Sequence, residues 1–161
     1  MANVKTNAIR LLEQEKIPFS VHQYPWDGKN APDGASVARE MGQDPEQVFK
    51  TLVAKGASGE HYVYDIPVEE TLDLKKAAKA VGEKSISMLP LKELFPLTGY
   101  VHGGCSPIGM KKQFFTVVDE TCILYDTIFV SAGKIGLQIE INPDDLITYV
   151  KATVSDLIVE R

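Results

Sequence analysis

The sequence lacks several features that large protein classes require. Its two cysteines, Cys105 and Cys122, are far apart and form no C-x-x-C pair, so neither a disulfide framework nor a zinc site is indicated. No window approaches the roughly 18 apolar residues of a membrane-spanning helix, and no apolar run near the amino end resembles an export signal. We therefore expect a cytoplasmic protein with reduced thiols, no membrane contact and no metal.

Positive charge is also scarce. Lys and Arg total 17 against 22 Asp and Glu, which gives a net charge of -5. Proteins that grip long stretches of duplex need clustered Lys and Arg to neutralise phosphates, so that class is excluded. A pocket for a single nucleotide end is compatible with this charge. Lys111, Lys112 and Lys134 are predicted either to form a local positive rim or simply to be solvated.

The motifs of common hydrolases and nucleotide-binding enzymes are missing. There is no G-x-S-x-G, no H-E-x-x-H, no P-loop and no strand leading into G-x-G-x-x-G. His22, His61 and His102 are scattered over predicted strands and are interpreted as structural. Cys105 and Ser106 have only His102 nearby, which strand alternation points away. An active site here would need no cofactor and would work by positioning and electrostatic stabilisation, with water or substrate as the attacking group.

Hydrophobic periodicity predicts one α+β domain over residues 1–161, with short helices and a mixed, curved β-sheet. Helices are predicted at Asn7–Lys16, Ser36–Met41, Leu72–Val81 and Pro90–Phe95, with a further start at Asn142. Strands are predicted at Phe19–Tyr24, Val48–Ala54, His61–Pro67, Gly99–His102, Phe114–Val118, Ile123–Tyr125, Ile128–Val130, Leu137–Ile141 and Val150–Ile158, with the second and third of these forming an antiparallel hairpin.

A lysine stands inside the strand Val48–Ala54. Both faces of this strand are apolar, which is typical of a central strand. Burial disfavours the ammonium of Lys50 and lowers its pKa unless an acceptor lies nearby, so such lysines tend to bind or react. The alternative is that Lys50 lies at the strand end and extends to water.

The stretch Val101–Lys112 is rich in glycine. Gly103, Gly104 and Gly109 permit positive φ and close approach, while Pro107 fixes its own φ, so a stiff loop is predicted. Outward-facing amides in such a loop can hold an oxyanion, a carbonyl oxygen or a phosphate. The alternative is a tight connection between two strands.

Four ordered motifs resemble the YbaK/EbsC family, free-standing relatives of the editing domain in bacterial prolyl-tRNA synthetase. They are Val48–Leu52 (VFKTL), Leu72–Ala78 (LDLKKAA), Thr98–Lys112 (TGYVHGGCSPIGMKK) and Ile128–Gly133 (IFVSAG). The resemblance implies an editing-domain fold with a barrel-like sheet flanked by helices. It also implies hydrolysis of misacylated tRNA, most often Cys-tRNA(Pro), in company with prolyl-tRNA synthetase. The binding free energies of similar small amino acids in one pocket differ by only about 1 to 3 kcal/mol. A synthetase that makes errors between them therefore needs a second, hydrolytic site.

The resemblance also implies roles for particular residues. Lys50 is expected to hold the 3' CCA end or the ester, and the amides of Gly103 and Gly104 are expected to lie near the scissile carbonyl. The substrate's own thiol is expected to attack its ester. Expected substrate-binding residues are Tyr24, Thr51, Cys105, Ser106, Pro107, Ser131 and Gln138.

Two positions depart from the family pattern. Gln138 stands where relatives often have an acidic residue, and Asp33 stands where some have an aromatic residue before Gly34. Either departure can alter the accepted amino acid. The alternatives are therefore a deacylase for another small amino acid, such as alanine, and a noncatalytic domain that binds aminoacyl-tRNA or regulates a partner.

Overall fold

The computed structural model describes residues 5–160. Its helices are α1 (Asn7–Gln14), α2 (Gly34–Glu40), α3 (Leu74–Val81), α4 (Leu91–Thr98) and α5 (Pro143–Val150), with 3-10 turns at Pro45–Gln47 and Glu120–Leu124. Its strands are β1 (Phe19–Gln23), β2 (Phe49–Gly56), β3 (His61–Pro67), β4 (Ile86–Met88), β5 (Phe115–Asp119), β6 (Ile128–Ser131), β7 (Leu137–Ile141) and β8 (Thr153–Ser155). None of the helices in this range has the length and apolar character needed to cross a membrane.

The strands form two sheets. The larger has the order β4-β2-β3-β5-β8, in which β2 pairs antiparallel with β3 and β4 while β5 pairs parallel with β3 and β8. The smaller is antiparallel with the order β1-β7-β6, and a bridge between Val48 and Phe129 connects the two. The predicted α+β fold with mixed pairing is confirmed. The barrel-like form is not confirmed, because neither sheet closes on itself within residues 5–160.

Strand β2 and Val48, the residue before it, together contribute to each of the hydrophobic clusters of the described chain. Phe49 belongs to the cluster between the smaller sheet and helices α1 and α5, while Ala54 belongs to the cluster under α3. Val53 packs with residues of the glycine-rich loop, and Val48 packs with Phe129. Burying a side chain of this size contributes about 1.5 to 3 kcal/mol, so β2 is held from several directions. This fixes the positions of Lys50 and Thr51.

The predicted helix ends are largely confirmed. Thr6 accepts a hydrogen bond from the amide of Ile9 at the start of α1, and Asp73 accepts from two amides at the start of α3. Asn142 caps α5 in the same way. Each cap satisfies amides that have no partner inside the helix, and each contributes about 1 kcal/mol. Gly82 ends α3 with φ of 73°, a conformation that glycine adopts without strain.

Some predicted strands are wrong. Ile123–Tyr125 falls largely in the 3-10 turn Glu120–Leu124, because the Asp119 carboxylate accepts from both the amide and the hydroxyl of Thr121. Gly99–His102 is not a strand either. Gly99 ends α4 with φ of 86°.

The carboxyl-terminal strand and helix α4 also differ from prediction. Only Thr153–Ser155 of the predicted strand Val150–Ile158 pairs as a strand, because α5 runs through Val150 and ends at Lys151 with φ of 58°. Helix α4 extends to Thr98 with Pro96 inside it, beyond the predicted end at Phe95. Strand β4 was not predicted, since its three residues follow a polar stretch and show no alternation long enough to detect.

Candidate functional site

A cavity of about 500 Å³ lies where the carboxyl end of β1, the start of β2 and the facing parts of β6 and β7 meet the glycine-rich loop. This volume is within the range of pockets that enclose small-molecule ligands, roughly 300 to 1,000 Å³. The walls come from segments far apart in the sequence, from Tyr24 to Gln138. A single hollow therefore gathers residues that the sequence separates.

Most of the predicted site residues contribute to this cavity. They are Tyr24, Lys50, Thr51, Gly103, Cys105, Ser131 and Gln138. Asp33 and His102 line it as well. The prediction that His102 points away from Cys105 depended on a strand that does not form, and the turn at His102 and Gly103 brings this histidine to the cavity wall.

Gly104, Ser106 and Pro107 are buried within the loop and do not line the cavity. The amide of Gly104 donates to the carbonyl of Val101 at 2.9 Å, so this donor is engaged inside the loop. The Ser106 hydroxyl accepts from the amide of Ile108 at 3.2 Å. In this structure these residues hold the shape of the loop.

Gly103 is the loop glycine that faces the cavity. Its φ is 88°, and an added Cβ would lie 2.7 Å from the Cβ of Ala31. Both facts require glycine at this position, since other residues rarely adopt this conformation and a side chain would collide. The Tyr100 hydroxyl donates to the carbonyl of Ile108 at 2.6 Å and ties the two ends of the loop together.

Lys50 is the second residue of β2 and is half-buried in the cavity wall. Burial lowers its pKa, and the charge of Glu70 raises it, with burial prevailing. The ammonium thus loses hydration that a bound anion or ester oxygen would replace. Lys50 does lie near the start of the strand, as in the alternative, and its side chain lines the cavity.

Thr51 makes a short side-chain hydrogen bond at the cavity wall. Its hydroxyl donates to Oδ1 of Asp65 at 2.5 Å, and Asp65 is 0% exposed. Burial raises the pKa of Asp65 to about 7, although the Thr51 hydrogen bond acts to lower it. Sequence analysis missed Asp65. The feature of the sequence that could have identified it is a charged residue within the apolar run of β3. In the β2–β3 hairpin this residue stands directly opposite Thr51.

Gln138 is 5% exposed and pairs with Gln43. Each amide donates to the other's oxygen, at 2.8 Å from Gln43 and 3.2 Å from Gln138. The pair supplies a neutral, hydrogen-bonded wall where an acidic residue would supply charge. Gln43 was also missed, because it lies in the loop after α2 with no local pattern that connects it to β7.

The thiol of Cys105 is a poor nucleophile. Burial, with a smaller contribution from the charge of Asp65, raises its pKa to about 12. The thiolate that attacks an ester is therefore scarce at neutral pH. Within residues 5–160, no group of three His, Cys, Asp or Glu side chains is arranged to hold a metal ion.

The predicted positive rim is not part of the cavity wall. Lys111 donates to the carbonyl of Pro96 at 3.3 Å and lies 5.4 Å from the centre of the Phe95 ring. Lys112 lies 5.8 Å from the centre of the Phe114 ring. These contacts place both ammonium groups over aromatic faces beside the loop, and Lys134 is exposed.

Comparison with known proteins gives consistent matches. The model of the aminoacyl-tRNA editing domain family matches residues 29–149. A protein of Enterococcus faecalis with the provisional name Cys-tRNA(Pro)/Cys-tRNA(Cys) deacylase EbsC is 46% identical over 144 residues, which cover 89% of this chain and 87% of that protein.

Solved structures share the fold. A protein provisionally described as a trans-editing enzyme for prolyl tRNA synthetase superposes with a TM-score of 0.82 at 24% identity, over 98% of this chain and 100% of that one. A hypothetical protein superposes with a TM-score of 0.85 at 19% identity, over 96% and 100% of the two chains. At these identities the likeness shows the fold alone.

Proposed function

The chain belongs to the family of aminoacyl-tRNA editing domains, and we propose on that premise that it is an enzyme that hydrolyses misacylated tRNA. We further propose Cys-tRNA(Pro) as the substrate, in agreement with the name of the Enterococcus faecalis relative. Residues 1–161 act as one editing domain in this proposal. The activity belongs in the cytoplasm, beside prolyl-tRNA synthetase.

One observation supports the proposal most strongly: Lys50 and Gly103 share the wall of a single cavity. A half-buried ammonium can neutralise a terminal phosphate or an ester oxygen, and a backbone amide at a glycine can approach a carbonyl closely. Both groups stabilise charge that develops as an ester is attacked. Neither of them supplies a nucleophile.

The proposed reaction uses the substrate's own thiol. Its sulfur attacks the ester carbonyl, a C–S bond forms, the C–O bond to the terminal ribose breaks, and the thiol proton passes to the leaving ribose oxygen. The products are uncharged tRNA and a thiolactone that water then opens. This route fits a cavity in which the Cys105 thiol is neutral.

In this proposal the remaining cavity residues hold the aminoacyl end of the tRNA. Tyr24, Thr51 and Ser131 line the cavity with hydroxyl groups, and Gln138 closes one wall. Ser106 and Pro107 act through the shape of the loop. The net charge of -5 implies weak intrinsic affinity for tRNA, which fits a protein that works together with a synthetase.

The test is deacylation of proline tRNA charged with cysteine, alanine or serine. We expect release of cysteine with the wild-type protein, and thiolactone as the first product. Absence of cysteine release above the buffer rate would overturn the proposal.

A deacylase for alanine is the second candidate. It is favoured by the neutral Gln138–Gln43 wall where relatives often carry an acid. Preferential release of alanine in the same assay would establish it. A noncatalytic role would be indicated if neither substrate is cleaved and charged tRNA is retained.

A further inference from the structure

Asp65 lies one layer behind the cavity wall. Its strand neighbour in the β2–β3 register is Thr51, and the two side chains are joined by the 2.5 Å hydrogen bond. Within residues 5–160, the second carboxyl oxygen of Asp65 is buried and has no hydrogen-bond partner. An unsatisfied buried oxygen is costly, and such a group calls for an explanation. The carboxyl group also lies near enough to Cys105 for its charge to raise the pKa of that thiol.

The ionised carboxylate fixes the direction of the hydrogen bond. A carboxylate only accepts, so the Thr51 hydroxyl must donate its single hydrogen to Asp65. Its oxygen is then left with lone pairs alone. Because Thr51 lines the cavity, a donor on a bound ligand can reach this oxygen.

We propose that Asp65 is a positioning residue that acts through Thr51, fixing the Thr51 hydroxyl as a hydrogen-bond acceptor for the α-ammonium group of the bound aminoacyl ester. The inference rests on the proposed function, since it concerns the substrate of that same cavity. The α-ammonium is the donor that every aminoacyl ester carries. The buried negative charge of Asp65 also attracts the positive ammonium. Lys50, the residue before Thr51 in β2, is placed to bind a negatively charged group of the same ligand.

Protonation of Asp65 would reverse this arrangement. A protonated carboxyl can donate to the Thr51 oxygen, which frees the hydroxyl hydrogen to point at the ligand and oppose its ammonium. Burial raises the pKa of the Cys105 thiol to about 12 and that of the Cys122 thiol to about 11, and the charge of Asp65 makes a smaller contribution to both. Both stay neutral between pH 5 and 8. Asp33, Lys50 and His102 on the cavity wall are the other ionisable groups to separate.

The first experiment is a double-mutant cycle on kcat/KM for deacylation of Cys-tRNA(Pro). Asp65→Val and Thr51→Val should each lower kcat/KM about 10-fold to 100-fold, the range for losing a hydrogen bond to a charged group. The double variant should be no worse than Thr51→Val, because Asp65 acts only through that hydroxyl. Thr51→Ser should restore most of the rate. Losses that multiply in the double variant would overturn the inference.

The second experiment is the pH profile of Asp65→Asn, which keeps an acceptor oxygen and does not titrate. Wild-type kcat/KM should fall as pH drops through about 7, the pKa of Asp65, and this fall should be absent in Asp65→Asn. A fall caused by the His102 imidazole would persist in the variant and would overturn the inference.

Asp119→Asn is the matched control. Asp119 is a buried aspartate of the same sheet that accepts from Thr121 and from the amide of Leu157, away from the cavity. It should change stability and leave the shape of the pH profile intact. An inactive wild-type protein would overturn the proposed function together with the inference. An active wild type whose Asp65 and Thr51 variants behave independently would overturn the inference alone.

Discussion

The two sides of the cavity differ in their chemistry. On the β2 side, burial moves the pKa of Lys50 down and that of Asp65 up to about 7, so both depart from their ordinary values. On the β7 side, Gln138 is also buried, at 5% exposed, but its amide does not titrate and is paired with Gln43. One side responds to charge and pH, and the other offers a fixed shape.

This difference indicates that the two sides of the cavity have different functions. Groups whose charged form has lost hydration can stabilise charge on a ligand or a transition state, which is what catalysis by positioning requires. A closed amide pair contributes little to charge stabilisation, but it excludes ligands that do not fit its surface. Changes on the β2 side should therefore alter rates and pH dependence, while changes on the β7 side should alter stability and selectivity.

The largest expected effect concerns Asp65 and stability. The unfolded chain has an ordinary aspartate with a pKa of 3.8, while burial raises the pKa in the folded chain to about 7, so the folded state binds the proton more tightly. The stability that this group contributes is full below about pH 4 and is lost as pH rises through 7. The shift corresponds to about 4 kcal/mol. Asp65→Asn should remove this dependence, as measured by urea unfolding at pH 4.5 and pH 8.

Asp119→Asn serves as the comparison in that measurement as well. If wild type and Asp65→Asn lose stability equally between the two pH values, the buried carboxyl is not the cause. The contrast between the two sides of the cavity would then be weaker than the structure indicates.

The next effect concerns the rate of deacylation. Lys50→Ala should lower the rate by at least ~100-fold, the scale observed when one positioned polar group is removed from a transition-state site. Lys55→Ala, at an exposed position of the same strand, should leave the rate unchanged. The measurement is single-turnover hydrolysis of Cys-tRNA(Pro). A rate in Lys50→Ala equal to that of Lys55→Ala would remove Lys50 from the site.

The β7 side should respond in stability. Gln43→Ala leaves the buried amide of Gln138 without its partner, which costs about 1 to 3 kcal/mol of unfolding free energy. Gln14→Ala, at an exposed position of α1, should cost a few tenths of a kcal/mol at most. Urea titrations of the two variants measure both values. Equal midpoints would show that the amide pair contributes nothing.

The smallest effect is expected at Cys105. Because burial keeps its thiol neutral, Cys105→Ala should reduce deacylation less than 10-fold, through packing alone. The matched variant Cys122→Ala alters a buried thiol outside the cavity. A loss with Cys105→Ala as large as that of Lys50→Ala would mean that the thiol takes part in the chemistry.

Much of the fold could be predicted from local pattern. The β2–β3 hairpin and helix α3 have clear periodicity and end signals, namely Asp73 before the helix and Gly82 after it. The strand prediction at Ile123–Tyr125 was wrong because the apolar residues there are exposed, at 69% for Ile123 and 71% for Leu124. The side chain of Asp119 caps a 3-10 turn at this point instead. Local propensity gives way where one side chain satisfies the backbone in another conformation.

The site was less predictable than the fold. Lys50 and the glycine loop carry their own local signals, a lysine in an apolar strand and a cluster of glycines. Asp65 carries a weaker signal, a charged residue within the apolar run of β3, and Gln43 carries none, because their roles depend on partners 14 and 95 positions away. The barrel-like form of the sheet was not confirmed, and it too depends on strand pairing between distant segments, which local pattern does not show.

The contacts of Val48 and strand β2 with every hydrophobic cluster of the described chain have a consequence for partly unfolded molecules. We expect that a chain in which one of these clusters has come apart no longer holds Lys50 half-buried, so that its amine becomes an ordinary hydrated lysine. Ester cleavage should therefore disappear along a urea titration together with tertiary structure. Partly unfolded molecules would lose hydrolytic activity and would not deacylate correctly charged tRNA.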